Sequence, residues 1–149
     1  MLRIINNPFY FIIRAFEELY PDKTRVVIQF VDMEHIDKES IDETGYGLTF
    51  FPDEENEPVH VYVDIKLQVK DAAEILAHEL AHVAVGAEAD HNELWEKSFD
   101  DIYKRSQNMY EQSLKSSPFE DIQLKSYSTT ELLTELHARV TQKNFSEAI

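Results

Sequence analysis

Apolar positions change their spacing along the chain, and the first change separates a helix from three strands. Asn7 and Pro8 are typical of a helix N-cap and first turn, and apolar residues then recur three and four positions apart until Pro21. Three stretches rich in β-branched and aromatic residues follow, and the last of them alternates strictly between polar and apolar residues. The pattern predicts a helix over residues 8–20, a polar loop or short turn at 34–44, and strands over residues 25–32, 45–51 and 59–65.

From Asp71 onward the apolar residues return to helical spacing. Asp71 and Glu74 have the form of a capping box at the start of this helix, and Gly86 is a natural C-terminal stop. Asp90 and Glu93 have the same form and predict the start of a long second helix. The sequence therefore predicts two consecutive helices separated by a short loop.

The remaining residues predict one more helix and no further domain. Residues 116–118 break the long helix, and a last capping pattern predicts a helix from residue 128. The chain contains no repeat, low-complexity tract or internal linker. We expect a single α+β domain over residues 1–149, with a small mixed sheet packed on the helix at 71–85 and further helices before and after it.

Composition narrows the classes of partner and compartment. The chain has 149 residues and no cysteine, which excludes disulfides and thiolate metal sites. With 29 acidic against 14 basic residues, the net charge of −15 argues against a nucleic-acid partner. No apolar run approaches the roughly 20 residues of a membrane span, and the N-terminus lacks the pattern of a signal peptide. We expect a cytoplasmic protein without a membrane segment, and the sequence predicts no oligomeric state.

The segment His78-Glu79-Leu80-Ala81-His82 matches the pattern H-E-x-x-H inside the predicted helix. Histidines four positions apart lie on one face of a helix, close enough to share a metal ion. A chance match on a charged helix is the alternative, but this motif follows a strand and lies within an amphipathic helix. We expect one zinc ion per chain, bound by His78 and His82, with Glu79 as the general base that activates a zinc-bound water.

A catalytic zinc site needs a third protein ligand and an open fourth position. His91 is the first candidate, because Gly86 lets the chain turn back and Asp90 is expected to cap the helix that carries it. If His91 is only a polar residue of that first turn, the remaining candidates are Glu88, Glu111 and Glu135. The other histidines, His35, His60 and His137, are expected to be ordinary polar residues. The spacing assigns no oxyanion-stabilising role to His137, Tyr127 or Tyr46.

The segments ILAHELAHVAVG and DHNELW resemble the small zincin metallopeptidases, above all the SprT-like and minigluzincin group. In that group the helix with HExxH is followed by a short loop, a third histidine and a bulky apolar residue. Trp95 stands at that apolar position, four residues after His91. The resemblance covers roughly residues 25–105, and it implies a zincin-like fold, His91 as the third ligand and peptidase activity on peptides or proteins.

The resemblance also implies that residues 47–51 form the edge of the sheet, to which an extended substrate adds as a further strand. The sequence departs from the group in two respects. Many SprT-like proteins carry a cysteine zinc ribbon and a DNA-binding element, whereas this chain has no cysteine and is strongly acidic, which argues against a role in DNA–protein crosslink repair. Asn92 replaces the glycine that often follows the third histidine.

Two other classes of function compete with a peptidase. YbeY-like endoribonucleases also have two histidines four apart and a third preceded by aspartate, as in Asp90-His91. Their second motif position is usually small, their third histidine comes sooner, and the acidic charge disfavours RNA. A non-catalytic binding protein with a structural zinc is the third class, but such sites usually have four protein ligands.

Overall fold

A computed structural model describes residues 2, 4–23, 25–36 and 45–115 of the chain. Contacts between Cα atoms divide the chain into two compact units, residues 1–107 and residues 108–149. All elements described below belong to the first unit, apart from residues 108–115 of the last helix. The single domain expected from the sequence remains a prediction.

The described residues form a small mixed α+β fold with three α-helices and a three-stranded sheet. The predicted elements are present, with strands shorter by one or two residues at their ends, and a 3₁₀ turn at Met33–His35 begins the predicted loop. The helix predicted from residue 128 lies outside the described residues. In chain order the elements are α1 (Pro8–Leu19), β1 (Val26–Val31), β2 (Gly47–Phe50), β3 (Val59–Asp64), α2 (Val69–Val85) and α3 (Glu93–Lys115).

The start of α1 and the end of α2 form as the sequence predicts. The side chain of Asn7 accepts a hydrogen bond from the backbone N–H of Phe9 at 3.0 Å and so caps α1. Gly86 ends α2 with a φ of 94°, a conformation that favours glycine, and its N–H donates to the carbonyl of His82 at 2.9 Å. These two residues therefore fix helix ends that apolar spacing alone leaves uncertain.

The predicted capping box of Asp71 and Glu74 is wrong. The helix α2 begins two residues earlier, at Val69, so both acidic residues lie inside it. The first helical bond runs from the N–H of Ala72 to the carbonyl of Gln68 at 2.8 Å, and the Gln68 side chain makes no capping bond.

The sheet has the order β1-β3-β2, so β3 is its central strand. The strand β1 pairs with β3 in parallel, and β2 pairs with β3 antiparallel. Val61 and Val63 of β3 are fully buried, and they stand opposite Thr49 and Gly47 of β2 in the register. Since residues two apart on a strand share a face, these four residues lie on one face of the sheet.

The helix α2 packs against β2, β3 and α1 and supplies much of the core. Its buried face is built from Leu76, Leu80 and Val83 together with alanines, whose small side chains let the strands approach closely. An ion pair between Arg105 and Glu18, at 2.8 Å, links α3 to α1. None of the helices in the described ranges combines the length and apolar character needed to cross a membrane.

The strand β2 lies close to α2 at Gly47. A Cβ atom at this position would lie 2.5 Å from Oε1 of Glu79 and 2.8 Å from Cγ2 of Ile75. Both distances are shorter than van der Waals contact, so any other residue forces the side chains of Glu79 and Ile75, or the elements that carry them, to shift. The packing of β2 on α2 thus favours glycine at this position.

We expect Gly47→Ala to lower the free energy of unfolding by about 1–3 kcal/mol, the usual effect of overpacking a filled core. Urea denaturation followed by circular dichroism measures the change. Phe50→Val is the matched control, because Phe50 lies on the opposite face of the same strand and is 52% exposed. Its effect should stay within about 0.5 kcal/mol. Equal stability of wild type and Gly47→Ala would contradict the close packing described here.

Candidate metal centre

Three histidines from α2 and the loop after it direct the same ring atom to one point. The Nε2 atoms of His78 and His82 are 3.3 Å apart, and Nε2 of His91 is 3.1 Å from each of them. In the described part of the chain this is the group of side chains close enough to bind a metal ion. The three candidate ligands predicted from the sequence are therefore brought together.

The chemistry of the three rings favours a cation at this point. Each Nε2 atom carries either a proton or a lone pair, whatever the protonation state of the ring. Each of the three neighbouring Nε2 atoms is either a hydrogen-bond donor or an acceptor, so at least two of them are of the same kind. In that pair, two protons or two lone pairs face each other. A cation that accepts all three lone pairs removes this conflict.

The size of the triangle also suits a metal ion. Ligand nitrogens at about 2.05 Å around a tetrahedral zinc are about 3.3 Å apart. The observed separations of 3.1 and 3.3 Å lie close to that value. A tetrahedral ion bound by these three atoms keeps its fourth position for another ligand. The geometry and the donor set therefore fit a site with three histidines and one open position.

The local sequence explains how His91 reaches the two helical histidines. His78 and His82 are four residues apart on α2, which places their rings on one face. Gly86 ends the helix and a short loop turns the chain back toward that face. The helix α3 then begins at Glu93, so His91 lies just before it and not in its first turn as the sequence had suggested.

The second predicted capping box is also wrong, since Asn92 caps α3 in place of Asp90. The side chain of Asn92 accepts a hydrogen bond from the N–H of Trp95 at 3.0 Å, and its carbonyl accepts one from Glu96 at 2.9 Å. This role gives a physical reason for asparagine at a position where the resembling peptidases often have glycine. Asp90 instead accepts from the backbone N–H of His91 at 2.9 Å.

The carboxylate of Asp90 also approaches the second ring nitrogen of His91. Its Oδ1 atom lies 3.5 Å from Nδ1, on the side of the ring that faces away from the other two histidines. A carboxylate in this position favours the tautomer with the proton on Nδ1 and the lone pair on Nε2. The side chain of Asp90 is 98% exposed, so this contact buries no charge.

A row of aromatic rings along α3 lies against the histidines. The ring of Trp95 is 4.6 Å from that of His78, 5.4 Å from that of His82 and 4.5 Å from that of His91. Trp95 stacks on Phe99, which stacks on Tyr103. Burial raises the pKa of the Tyr103 hydroxyl, and the nearby carboxylate of Glu74 raises this pKa further. The row is therefore uncharged at neutral pH, and it shields one side of the site.

Glu79 lies beside the histidine group without belonging to it. The residue is 1% exposed, and about 100° of helical rotation separate it from His78, which turns it toward the sheet. The hydroxyl of Thr49 donates to its carboxylate Oε2 at 2.6 Å and lies 3.1 Å from its backbone carbonyl. A buried carboxylate on the motif helix is thus held by the edge strand.

The other candidate ligands named from the sequence are not part of this group. Glu88 is described but does not join the three histidines, and Glu111 belongs to the second compact unit. Glu135, His137 and Tyr127 lie outside the described residues. Of the remaining candidates, His35 is exposed beside Asp32, at 3.6 Å, and Tyr46 is exposed as well.

The contacts that Gly47 and Thr49 make with Glu79 were not predicted from the sequence. The two residues precede Glu79 by about thirty positions, and no local pattern links a threonine in a strand to a glutamate in a later helix. A signal was present in the alternation of the strand, which places both residues on the face that packs on the helix. This alternation points to Glu79 only once the pairing of β2 with β3 is known.

No protein-family model, curated protein or solved structure matches this chain. The resemblance to SprT-like and minigluzincin peptidases therefore rests on the sequence motif alone. It remains a prediction, and so does the zincin-like character of the fold.

We expect His78→Ala, His82→Ala and His91→Ala each to abolish stoichiometric binding of zinc, because two imidazoles are too few ligands for a stable site. Elemental analysis after dialysis, with competition against a chromogenic chelator, measures the bound metal. His35→Ala is the matched control, since this exposed histidine lies outside the group, and it should bind as much zinc as wild type. Full zinc content in any of the three group variants would show that the metal is bound elsewhere.

Trp95 should report on metal binding directly, because it is the only tryptophan and its ring contacts all three histidines. We expect its emission to change as zinc is added to the metal-free protein and to level off at one equivalent. The His91→Ala variant should show no saturating change. An unchanged spectrum in wild type that has bound zinc would contradict the ring contacts.

Proposed function

We propose that the chain is a zinc-dependent peptidase, with zinc bound by His78, His82 and His91 and with Glu79 as the general base. The convergence of three Nε2 atoms within 3.3 Å of one another, next to a buried glutamate on the same helix, is the observation that supports it most strongly. Substrates on this proposal are peptides or unfolded segments of proteins.

Zinc is the metal that best suits the donor set. Three neutral imidazoles and an open position are the ligands of several catalytic zinc sites, whereas calcium and magnesium prefer oxygen ligands. When bound in such a site, zinc acts as a Lewis acid and makes water a nucleophile at neutral pH. The remaining steps depend on the residues of the chain.

Glu79 would accept a proton from the attacking water and later deliver it to the leaving amine. Two features support this role. The glutamate follows His78 directly, so the helix carries the base to the side of the metal ligands, and it does not belong to the ligand group. Its carboxylate is also buried, next to the strand β2, which offers a free edge among the described strands.

The edge strand β2 offers a place for a peptide. In the described part of the chain β2 pairs only with β3, which leaves the backbone groups along its other edge available to an extended segment. Gly47 and Thr49 of this strand contact Glu79, so the edge lies next to the proposed base. A peptide that adds to β2 would run beside the group that moves the proton.

The test compares zinc-loaded Glu79→Gln with zinc-loaded wild type. The substrates are casein and a library of fluorogenic peptides. The variant should retain its zinc, because Glu79 is not a ligand. Its kcat should fall by about 10²–10⁴-fold, the usual contribution of a positioned general base. Glu74→Gln is the matched control, since Glu74 is an exposed carboxylate on the same helix, and it should be as active as wild type.

Two results would contradict the proposal. Peptide hydrolysis by Glu79→Gln at the wild-type rate would show that Glu79 is not the base. If zinc-loaded wild type cuts no peptide, the chain is not a peptidase. Cleavage of RNA would then indicate an endoribonuclease, and no cleavage of RNA would indicate a non-catalytic zinc protein.

A further inference from the structure

The edge strand β2 makes a specific contact with Glu79 that the peptidase proposal does not require. The Oγ1 atom of Thr49 lies 2.6 Å from Oε2 of Glu79, within a site where the glutamate is 1% exposed. The threonine hydroxyl is the donor and the carboxylate oxygen the acceptor, and the distance lies at the short end of the range for O–H···O hydrogen bonds.

The register of the sheet holds Thr49 in place for this contact. Thr49 stands opposite Val61 and Gly47 stands opposite Val63, and both valines are fully buried. Gly47, two residues along the same face, has no side chain and so lets the strand approach Glu79 closely enough for the bond to form. The hydroxyl is therefore fixed by the core and not by a mobile loop.

We infer that Thr49 is a positioning residue, which holds the Glu79 carboxylate in the orientation needed for proton transfer; this inference rests on the proposed function. A glutamate side chain has three rotatable bonds and loses considerable rotamer entropy when it is ordered. The hydrogen bond from Thr49 offsets that loss before substrate arrives. Misplacement of a catalytic group by about 1 Å can lower a rate by about 10²-fold, so the bond has a large effect on kcat.

The position of Thr49 also links the base to the substrate. The same strand that orients Glu79 from its inner face is proposed to receive the peptide along its free edge. Base and substrate then both contact one strand, and the packing of α2 on β2 sets the distance between them. Thr49 thereby aligns the base with the proposed peptide strand.

The experiment uses Thr49→Val, which keeps the shape and removes the hydroxyl, and Thr49→Ser, which keeps the hydroxyl. Both are made in wild type and in the Glu79→Gln background. We expect Thr49→Val to lower kcat by about 10- to 100-fold with little change in KM or zinc content, because only the orientation of the base changes. Thr49→Ser should recover most of the rate. In the Glu79→Gln background, Thr49→Val should cause no further loss.

A second measurement needs neither metal nor activity. The urea midpoint of the metal-free protein is compared among wild type, Thr49→Val, Glu79→Gln and the double variant. Thr49→Val should lower the midpoint more in wild type than in the Glu79→Gln background, because a buried carboxylate loses more than a neutral amide when its donor is removed. Additive shifts would show that the two side chains are not coupled.

The outcomes separate this inference from the proposed function. If zinc-loaded wild type hydrolyses no peptide, the proposed function fails and the inference fails with it. If wild type is active and Thr49→Val has the same kcat, only the inference is overturned. If Thr49→Val lowers kcat equally with and without Glu79, the threonine has a merely structural role, which also overturns the inference.

Discussion

The packing of α2 against β2 and β3 is the constraint on which the rest of the structure depends. One helix must bury an apolar face on the sheet and also present two histidines on another face, and Glu79 lies between the two. The small residues of the interface, with Gly47 foremost, make this arrangement feasible because they leave room for the side chains of Glu79 and Ile75 against the strand. Shifting the helix by one residue would place an imidazole in the core and would put either two alanines, Ala77 and Ala81, or Glu79 and Val83 at the positions of the two histidines.

The two halves of the site differ in how they are built. The metal centre is assembled from local structure: one turn of α2, a glycine stop, a short loop and an asparagine cap. The environment of Glu79 is assembled from distant parts of the chain, because β2 must pair with β3 before Thr49 can reach the carboxylate. The histidine group therefore depends on helix geometry, whereas the surroundings of Glu79 depend on the tertiary fold.

This difference explains what the sequence could predict. Spacing alone located His78 and His82, because residues four apart on a helix share a face, and Gly86 indicated correctly where the helix stops. The capping box at Asp71 was wrong because α2 begins two residues earlier, without a side-chain cap. The box at Asp90 was wrong because its pattern is local and a nearby polar residue satisfies it as well. Asn92, adjacent to the predicted ligand, proved to be the better-placed cap. The contacts of Gly47 and Thr49 were out of reach, since they depend on strand order and on depth of packing.

The short span of the metal centre has a consequence for how the chain acquires its structure. The outermost ligands, His78 and His91, are only 13 residues apart, whereas Thr49 and Glu79 are 30 apart. Loop-closure entropy rises with the length of the loop, so bringing the three rings together costs the chain less entropy than bringing Thr49 to Glu79. The histidine group is thus the half of the site that the chain assembles from one short segment, and the surroundings of Glu79 are the half that needs the paired sheet.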